Sequence, residues 1–362
     1  MIRRTEGEGD RHGVSASLKS LEVLRFVAAV LVVFAHISVP GSDWMASFMG
    51  AHRFVGSIGV DVFFVLSGVV MGLVVTRIQG RGIRQAGWFL SARFFRIYPL
   101  YLLVTLATVG AEWLMGRGLP DPQSALCDLF LAPCLSGGQY PDPMVGVAWT
   151  LRYEVYFYVA TSLAVLTGWR PMPLLLIGAV VWLKPSTLDY YADPICLEFL
   201  MGYLLALGLP WLKRHPLPEW GSLMLLLGSF SLFMLAGMGK DFPPDGRDLA
   251  VIPRMVIYHV DGSSWPRLVT WGMSAALLTL GFLGIESHVP RVAIKLGQIT
   301  YSMYLLQHFF LPLSGKLAGH GWPLGWSILS VMAMLLLASH ISFRYFENPV
   351  NSWWRQKVTA QR

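Results

Sequence analysis

An arginine and a histidine stand in an otherwise apolar stretch near the start of the chain, LRFVAAVLVVFAHI, where Arg25 and His36 are eleven residues apart. In an α-helix this spacing brings two side chains to within about 20° of the same face, separated by a rise of about 16.5 Å. A guanidinium binds anions, and a neutral imidazole accepts a proton from a hydroxyl group. The pair therefore suits catalysis on an anionic substrate, with Arg25 near one rim of a cavity and His36 deeper inside it.

Other ionisable side chains lie in apolar segments further along the chain. Glu154 lies in WTLRYEVYFY, and His308 lies in TYSMYLLQHFF. Ionisable groups at membrane depth are costly and usually face a bundle interior or a water-filled cavity, so we interpret both as functional candidates. For Glu154, an ion pair with Arg152 or with an arginine of another helix explains the residue equally well.

Five arginines and no lysine lie between residues 77 and 96. Two of them, Arg93 and Arg96, have the i, i+3 spacing that places side chains on one face of a helix, where they form a fork suited to phosphate. The excess of basic residues on the cytoplasmic side of membrane proteins predicts positive charge here. It predicts neither this spacing nor the preference for arginine over lysine.

The elements that must position these residues are membrane helices. Of 362 residues, 54% are hydrophobic and 14% are charged, against roughly a quarter charged in ordinary soluble domains. Ten apolar runs have lengths near the roughly 20 residues that cross a bilayer core. The runs cover residues 18–40, 57–77, 88–116, 147–168, 171–185, 194–213, 220–238, 266–286, 293–315 and 322–346. We therefore predict an all-α fold, a polytopic integral membrane helical bundle with about ten transmembrane helices.

Three regions follow from these runs. We expect a disordered cytoplasmic N-terminal tail at 1–17, a transmembrane domain at 18–349 and a cytoplasmic C-terminal tail at 350–362. The first run is longer than the apolar region of a signal peptide and is expected to be a retained helix.

The distribution of basic residues predicts the orientation. With a cytoplasmic N terminus, eighteen of the 28 Lys and Arg residues lie on the inside, eight on the outside and two within helices. Both termini are therefore predicted to be cytoplasmic. The net charge of +7 is explained by this asymmetry, so a nucleic-acid partner is not required.

The predicted outside loop 117–146 contains two of the three cysteines. Cys127 and Cys134 are seven residues apart, and an oxidising compartment would permit a disulfide between them. The spacing alone leaves that disulfide undecided. It does not match a zinc motif, and we expect no metal.

Five motifs follow one another along the chain: LRFVAAVLVVFAHI, GVDVFFVLSG, RFFRIYPLY, WTLRYEVYFY and LGQITYSMYLLQHF, the last followed by FENP. In this order they resemble the acyltransferase-3 family, which comprises bacterial inner-membrane enzymes that O-acetylate exopolysaccharides, O-antigens and related glycans. The resemblance implies ten or so helices and an acyl-CoA donor, most simply acetyl-CoA, that is reached from the cytoplasm. It also implies that the acceptor is a hydroxyl group of a glycan or of a lipid-linked sugar.

The resemblance also assigns residues. It marks His36 as the essential catalytic histidine, with Arg25 beside it, and links Arg93 and Arg96 to the nucleotide end of the donor. His36 would act as general base on the acceptor hydroxyl or would carry the acyl group itself, and the sequence leaves both routes open.

Further residues are expected to orient His36 or to bind the sugar: Asp61, Glu154, Tyr301 and His308. The sequence departs from the family pattern where Thr150 replaces the usual serine. It has no extracellular hydrolase-like domain after the last helix, so we expect transfer directly to the acceptor or to a separate protein. Besides the donor and the acceptor, we expect membrane lipid to contact the protein. A proton-coupled membrane transporter or flippase, with His36 and Glu154 as a proton relay, is the alternative function.

Overall fold

The computed structural model of this chain describes residues 6–37, 55–135, 140–237, 264–284 and 290–359. The described residues form helices, turns and loops, and no strand occurs among them. For these residues the all-α prediction is therefore confirmed. They belong to two compact units.

The first unit contains the described residues 6–35, 55–73, 197–237, 264–284 and 290–300. Its helices are α1 (Glu6–His36), α2 (Ile58–Arg77), α7 (Cys196–Arg214), α8 (Glu219–Gly237), α9 (Ser264–Arg267), α10 (Met273–Gly284) and α11 (Arg291–Gln298). Of three of these helices only part belongs to this unit: α1 up to residue 35, α2 up to residue 73 and α7 from residue 197. A π-helix, Leu268–Gly272, joins α9 to α10. The core of this unit contains Leu24 and Ala28 of α1, Val65 and Val69 of α2, and Ala206 of α7, each at most 1% exposed. The i, i+4 spacing on α1 and α2 turns one apolar face of each helix toward this core.

Small residues allow α2 and α7 to approach closely. A Cβ atom built on Gly202 would lie 1.8 Å from the carbonyl oxygen of Val65, and one on Gly68 would lie 2.0 Å from that of Phe199. Such distances leave no room for any larger side chain. One turn further along, Gly72 faces Ala206 in the same way. This is the small-xxx-small arrangement of helix pairs that pack in membranes.

The second unit contains the described residues 36–37, 74–135, 140–196 and 301–359. Its helices are α3 (Ile83–Leu114), α4 (Pro122–Leu129), α5 (Trp149–Thr167), α6 (Met172–Leu183), α12 (Thr300–Gly319, from residue 301), α13 (Leu324–Ser342) and α14 (Asn348–Thr359). A π-helix, Phe343–Glu347, joins α13 to α14. Helix α3 packs against both α5 and α14, and α5 packs against α6.

Four helical segments among the described residues are long and apolar enough to cross a membrane: Ile58–Arg77, Ile83–Leu114, Cys196–Arg214 and the continuous segment Leu324–Lys357. These apolar helices indicate a membrane protein. Each of the ten apolar runs overlaps one or more helices among the described residues, and the number of crossings remains a prediction.

Helix α1 begins at Glu6, within the segment 1–17 for which we predicted a disordered cytoplasmic tail. The division of the chain into an N-terminal tail, a transmembrane domain and a C-terminal tail stays a prediction. Extension of an existing helix adds a hydrogen bond per residue without a second nucleation step, which explains how the buried part of α1 continues toward the N terminus. The C-terminal tail predicted at 350–362 is helical in α14 as far as Thr359.

Candidate functional site

Four separate segments of the second unit converge on one cluster of polar side chains. Helix α3 supplies two arginines, α5 and α12 each supply two residues, and the π-helix after α13 supplies a glutamate. We call this cluster the fork site; it consists of Arg93, Arg96, Glu154, Tyr158, Tyr301, Ser302 and Glu347. Three of the seven residues, Tyr158, Ser302 and Glu347, were not predicted to belong to a site.

Arg96 is held by two partners within the fork site. Its Nη1 donates to Glu347 Oε2 at 3.5 Å, and its guanidinium lies 5.6 Å from the centre of the Tyr301 ring. The Tyr301 hydroxyl donates to the carbonyl oxygen of Ile97 at 2.7 Å, which ties α12 to the turn of α3 that carries Arg96. The orientation of Arg96 is therefore set by both an acid and an aromatic ring.

Glu347 is the most buried acid of the fork site, with 3% of its surface exposed. Its Oε1 accepts a hydrogen bond from the Ser302 hydroxyl, and its Oε2 accepts from Arg96. A buried carboxylate is tolerated when it is both paired and hydrogen-bonded, and Glu347 meets both conditions. It ends a π-helix, an element that frequently occurs at functional sites.

Arg93 has a different environment. Its guanidinium lies 5.8 Å from the centre of the Phe89 ring and 5.9 Å from that of Tyr158. Its Nε is buried and has no hydrogen-bond partner, and within the part of the chain that the structure describes no carboxylate forms an ion pair with it. Arg93 is therefore oriented by aromatic rings and its charge has no acidic partner there.

Glu154 lies beside the arginines. Its Oε1 accepts a short hydrogen bond from the hydroxyl of Tyr158, one turn further along α5. That hydroxyl also interacts electrostatically with Arg93 and Arg96. Arg152 pairs instead with Asp128 at 2.9 Å, and no ion pair between Arg152 and Glu154 occurs among the described residues.

Arg25 and His36 both lie on α1, which is unbroken between them, as a shared helix face requires. Arg25 Nη1 lies 3.4 Å from Glu22 Oε1, one turn earlier, and the two side chains are 25% and 27% exposed. His36 is the last residue of the helix, and its side chain is exposed. Sequence reasoning did not include Glu22, whose i, i+3 spacing to Arg25 was a readable signal.

Asp61 lies in the first unit, fully buried, and forms a two-pronged ion pair. Its two carboxylate oxygens accept from Arg267 Nε at 2.9 Å and Nη2 at 2.8 Å. The Arg267 guanidinium also lies 5.4 Å from the ring centre of Trp271, in the adjoining π-helix. The role of Asp61 in substrate binding remains a prediction, but both of its oxygens are already engaged.

His308 and Thr150 lie near the fork site in sequence but make other contacts. His308 is half-buried on α12; its ring packs edge-on against Phe309, and it interacts electrostatically with Glu112. The Thr150 hydroxyl lies 2.8 Å from that of Tyr304. Threonine therefore still supplies a hydroxyl group at the position where the family pattern has serine.

The apolar helices are typical of a membrane protein, and the fork site brings cationic, acidic and hydroxyl side chains together. The chain belongs to the acyltransferase-3 family, because the sequence model of the family's acyltransferase domain matches residues 18–341. It is therefore an O-acyltransferase.

Several curated proteins are similar to the chain. The exopolysaccharide production protein ExoZ of Rhizobium meliloti is 29% identical over 286 residues, which cover 74% of this chain and 80% of ExoZ. The peptidoglycan O-acetyltransferase OatA of Listeria monocytogenes is 22% identical over 372 residues, covering 91% of this chain and 55% of OatA. The chain thus spans about half the length of OatA. No solved structure matches the chain.

Proposed function

We propose that this protein transfers an acyl group, most simply acetyl, from cytoplasmic acyl-CoA to a hydroxyl of a cell-surface or lipid-linked polysaccharide. Membership of the family supports the transfer of an acyl group. The names of ExoZ and OatA, one an exopolysaccharide production protein and the other a peptidoglycan O-acetyltransferase, support a glycan acceptor. The observation that carries the proposal is the fork site, in which two arginines lie beside two carboxylates and a set of hydroxyl groups.

The fork site fits the anionic end of an acyl-CoA. Its phosphates require cationic donors, and guanidinium groups bind phosphate with paired hydrogen bonds. The terminal nitrogens of Arg93 make no hydrogen bond within the described residues and are not buried. They are thus accessible to such a ligand. From the resemblance, Arg25 would help to hold the anionic donor at the inner rim of the cavity.

His36 would carry out the chemical step by one of two routes. As general base, its imidazole takes the proton of the acceptor hydroxyl while that oxygen attacks the thioester carbonyl; the C–S bond breaks and CoA leaves as the thiol after taking a proton. As acyl carrier, the imidazole itself attacks the carbonyl, CoA leaves, and the acceptor hydroxyl then attacks the acyl-imidazole. Both routes form the same ester.

The remaining predicted residues would position the reactants. Glu154 would act through its hydrogen bond with Tyr158 or accept a hydrogen bond from the sugar, and Tyr301 would keep Arg96 in place. Asp61 and His308 would orient the acceptor. These assignments rest on the resemblance and on the placement of the side chains. The transfer assay described below tests them when each residue is replaced.

We further propose that the protein lies in the bacterial inner membrane with both termini in the cytoplasm. A disulfide between Cys127 and Cys134, with Cα atoms 5.9 Å apart, supports an oxidising location for loop 117–146. The Tyr140 hydroxyl after this disulfide donates to Asp189. Burial and this hydrogen bond raise the pKa of Tyr140 to about 12.

Cysteine labelling tests this orientation. In intact spheroplasts, we expect a membrane-impermeant maleimide to label the protein only after mild reduction, because the disulfide blocks Cys127 and Cys134 until then. Cys196 is buried and should stay unlabelled. In the control variant Cys127→Ser, Cys134 should react without reduction. Labelling that requires permeabilised membranes would place the loop in the cytoplasm and contradict the proposed orientation.

A transfer assay tests the proposed function itself. Purified protein in liposomes, supplied with acetyl-CoA and a polysaccharide acceptor, is expected to release CoA and to form an acetyl ester on the polysaccharide, detected by mass spectrometry. Release of CoA should depend on the acceptor in the general-base route. Solute uptake across the liposome membrane without release of CoA would favour the transporter and contradict the proposal.

A further inference from the structure

We infer that the two arginines of the fork site have different tasks: Arg93 contacts the anionic end of the donor, whereas Arg96 is a positioning residue whose charge compensates the buried Glu347. This inference rests on the proposed function, since it divides the donor-binding role between the two arginines. The i, i+3 spacing on α3 makes the residues look equivalent in sequence. Their contacts distinguish them.

On the Arg96 side of the fork site, a guanidinium whose side chain is 31% exposed forms an ion pair with the buried Glu347. Glu347 is 3% exposed, and a carboxylate at such a position requires a cation or must take up a proton. Arg96 is the cation that forms an ion pair with it among the described residues. The hydroxyl of Ser302 satisfies the other oxygen, so Glu347 depends on Arg96 for its charge compensation.

The Arg93 side has no such internal partner. Two aromatic rings, Phe89 and Tyr158, orient the guanidinium without neutralising its charge. Its Nε is buried without a hydrogen bond in the described part of the chain. A buried donor of this kind is costly unless a ligand or water supplies an acceptor. An oxygen of a phosphate group would both supply it and compensate the charge.

The immediate surroundings of the arginines agree with this division. Glu154, the other acid of the fork site, accepts its hydrogen bond from the Tyr158 hydroxyl and forms no ion pair with Arg93. Arg96 and Glu347 together contribute no net charge. Arg93 is therefore the arginine of the fork site that forms no ion pair among the described residues, and it is the one available to an anionic ligand.

This division predicts an asymmetric double-mutant cycle. Removing Arg96 leaves Glu347 as an uncompensated buried charge, and neutralising Glu347 in the same protein removes that penalty. Removing Arg93 breaks no ion pair among the described residues, so neutralising Glu347 should not compensate for it. Only the Arg96 variant is expected to be rescued.

The experiment compares wild type with Arg93→Met, Arg96→Met, Arg96→Met/Glu347→Gln and Arg93→Met/Glu347→Gln in detergent. Calorimetry measures the affinity for CoA, and thermal unfolding measures stability. We expect Arg93→Met to lower the CoA affinity by about tenfold or more, as loss of charge-assisted hydrogen bonds implies, with an unchanged unfolding midpoint. We expect Arg96→Met to lower both quantities, and Glu347→Gln to restore most of both in the Arg96 variant alone.

Two results would overturn the inference. One is that Arg93→Met binds CoA as tightly as wild type, and the other is that Glu347→Gln fails to rescue Arg96→Met in either measurement. If wild-type protein binds no CoA, the proposed donor is wrong, and so is the task inferred for Arg93. The unfolding measurements still report in that case whether Arg96 and Glu347 are coupled, so the two failures are distinguishable.

Discussion

Replacing His36 by alanine is expected to reduce the rate of acetyl transfer by about 10²- to 10⁴-fold, the usual contribution of a positioned acid–base group. In both proposed routes a nitrogen of this imidazole either takes the hydroxyl proton or forms the bond to the acyl group, and alanine can do neither. His36 lies at the end of α1 with an exposed side chain. The loss should therefore appear in kcat with little change in the thermal unfolding midpoint.

A histidine outside the proposed site provides the matched control. His320 is exposed, with Nδ1 2.7 Å from the carbonyl oxygen of Lys316, and His320→Ala is expected to retain wild-type transfer. If the His36→Ala protein keeps wild-type activity, His36 is not the catalytic group. Incubation with acetyl-CoA but no acceptor separates the two routes, because only an acyl carrier leaves an acetyl group on the protein.

Replacing Asp61 by asparagine is expected to destabilise the protein by about 3–5 kcal/mol, the usual cost of removing one partner from a buried ion pair. Asp61 is 0% exposed and Arg267 is 9% exposed, and both oxygens of Asp61 accept from that guanidinium. Asparagine keeps the shape of the side chain but leaves the cation of Arg267 without this carboxylate. A lower thermal unfolding midpoint in detergent would measure the effect.

An exposed ion pair supplies the comparison. Arg117 Nη1 lies 2.9 Å from Glu112 Oε1, with side chains 65% and 33% exposed, and such pairs contribute about 0–1 kcal/mol. Glu112→Gln should therefore unfold near the wild-type temperature. If Asp61→Asn also unfolds near that temperature, the pair with Arg267 does not hold the first unit together.

The same variant separates a structural role of Asp61 from its predicted role in substrate binding. If Asp61 binds substrate, the Asp61→Asn protein should lose transfer activity and keep its stability. If Asp61 is structural, the variant protein should lose stability. Restoration of stability in Asp61→Asn/Arg267→Met would assign the effect to the buried charge.

The positions of the helices were largely readable from the sequence. Apolar runs indicated where the segments lie, because burial of apolar surface and satisfaction of backbone groups act within each segment. The i, i+3 spacing of Arg93 and Arg96 was also readable, since it needs only the geometry of one helix. The Arg25 and His36 spacing has the same local origin.

The partners of these residues were not readable, because they come from distant parts of the chain. Glu347 is 251 residues from Arg96 in sequence, and Arg267 is 206 residues from Asp61. FENP was recognised as a family motif, yet nothing in those four residues says which cation compensates the acid. The seven-residue spacing of Cys127 and Cys134 permitted a disulfide without deciding that it forms.

The sequence by itself determined an all-helical membrane protein, the family and the helix faces that carry its arginines and histidines, because these depend on local periodicity and composition. The tertiary structure decided which charges are compensated. It paired Arg96 with Glu347 and left Arg93 against two aromatic rings, and this difference depends on how α3, α5, α12 and the residues after α13 pack together. Compensation of a charge depends on distance in space, and the spacing of residues along the chain does not specify that distance.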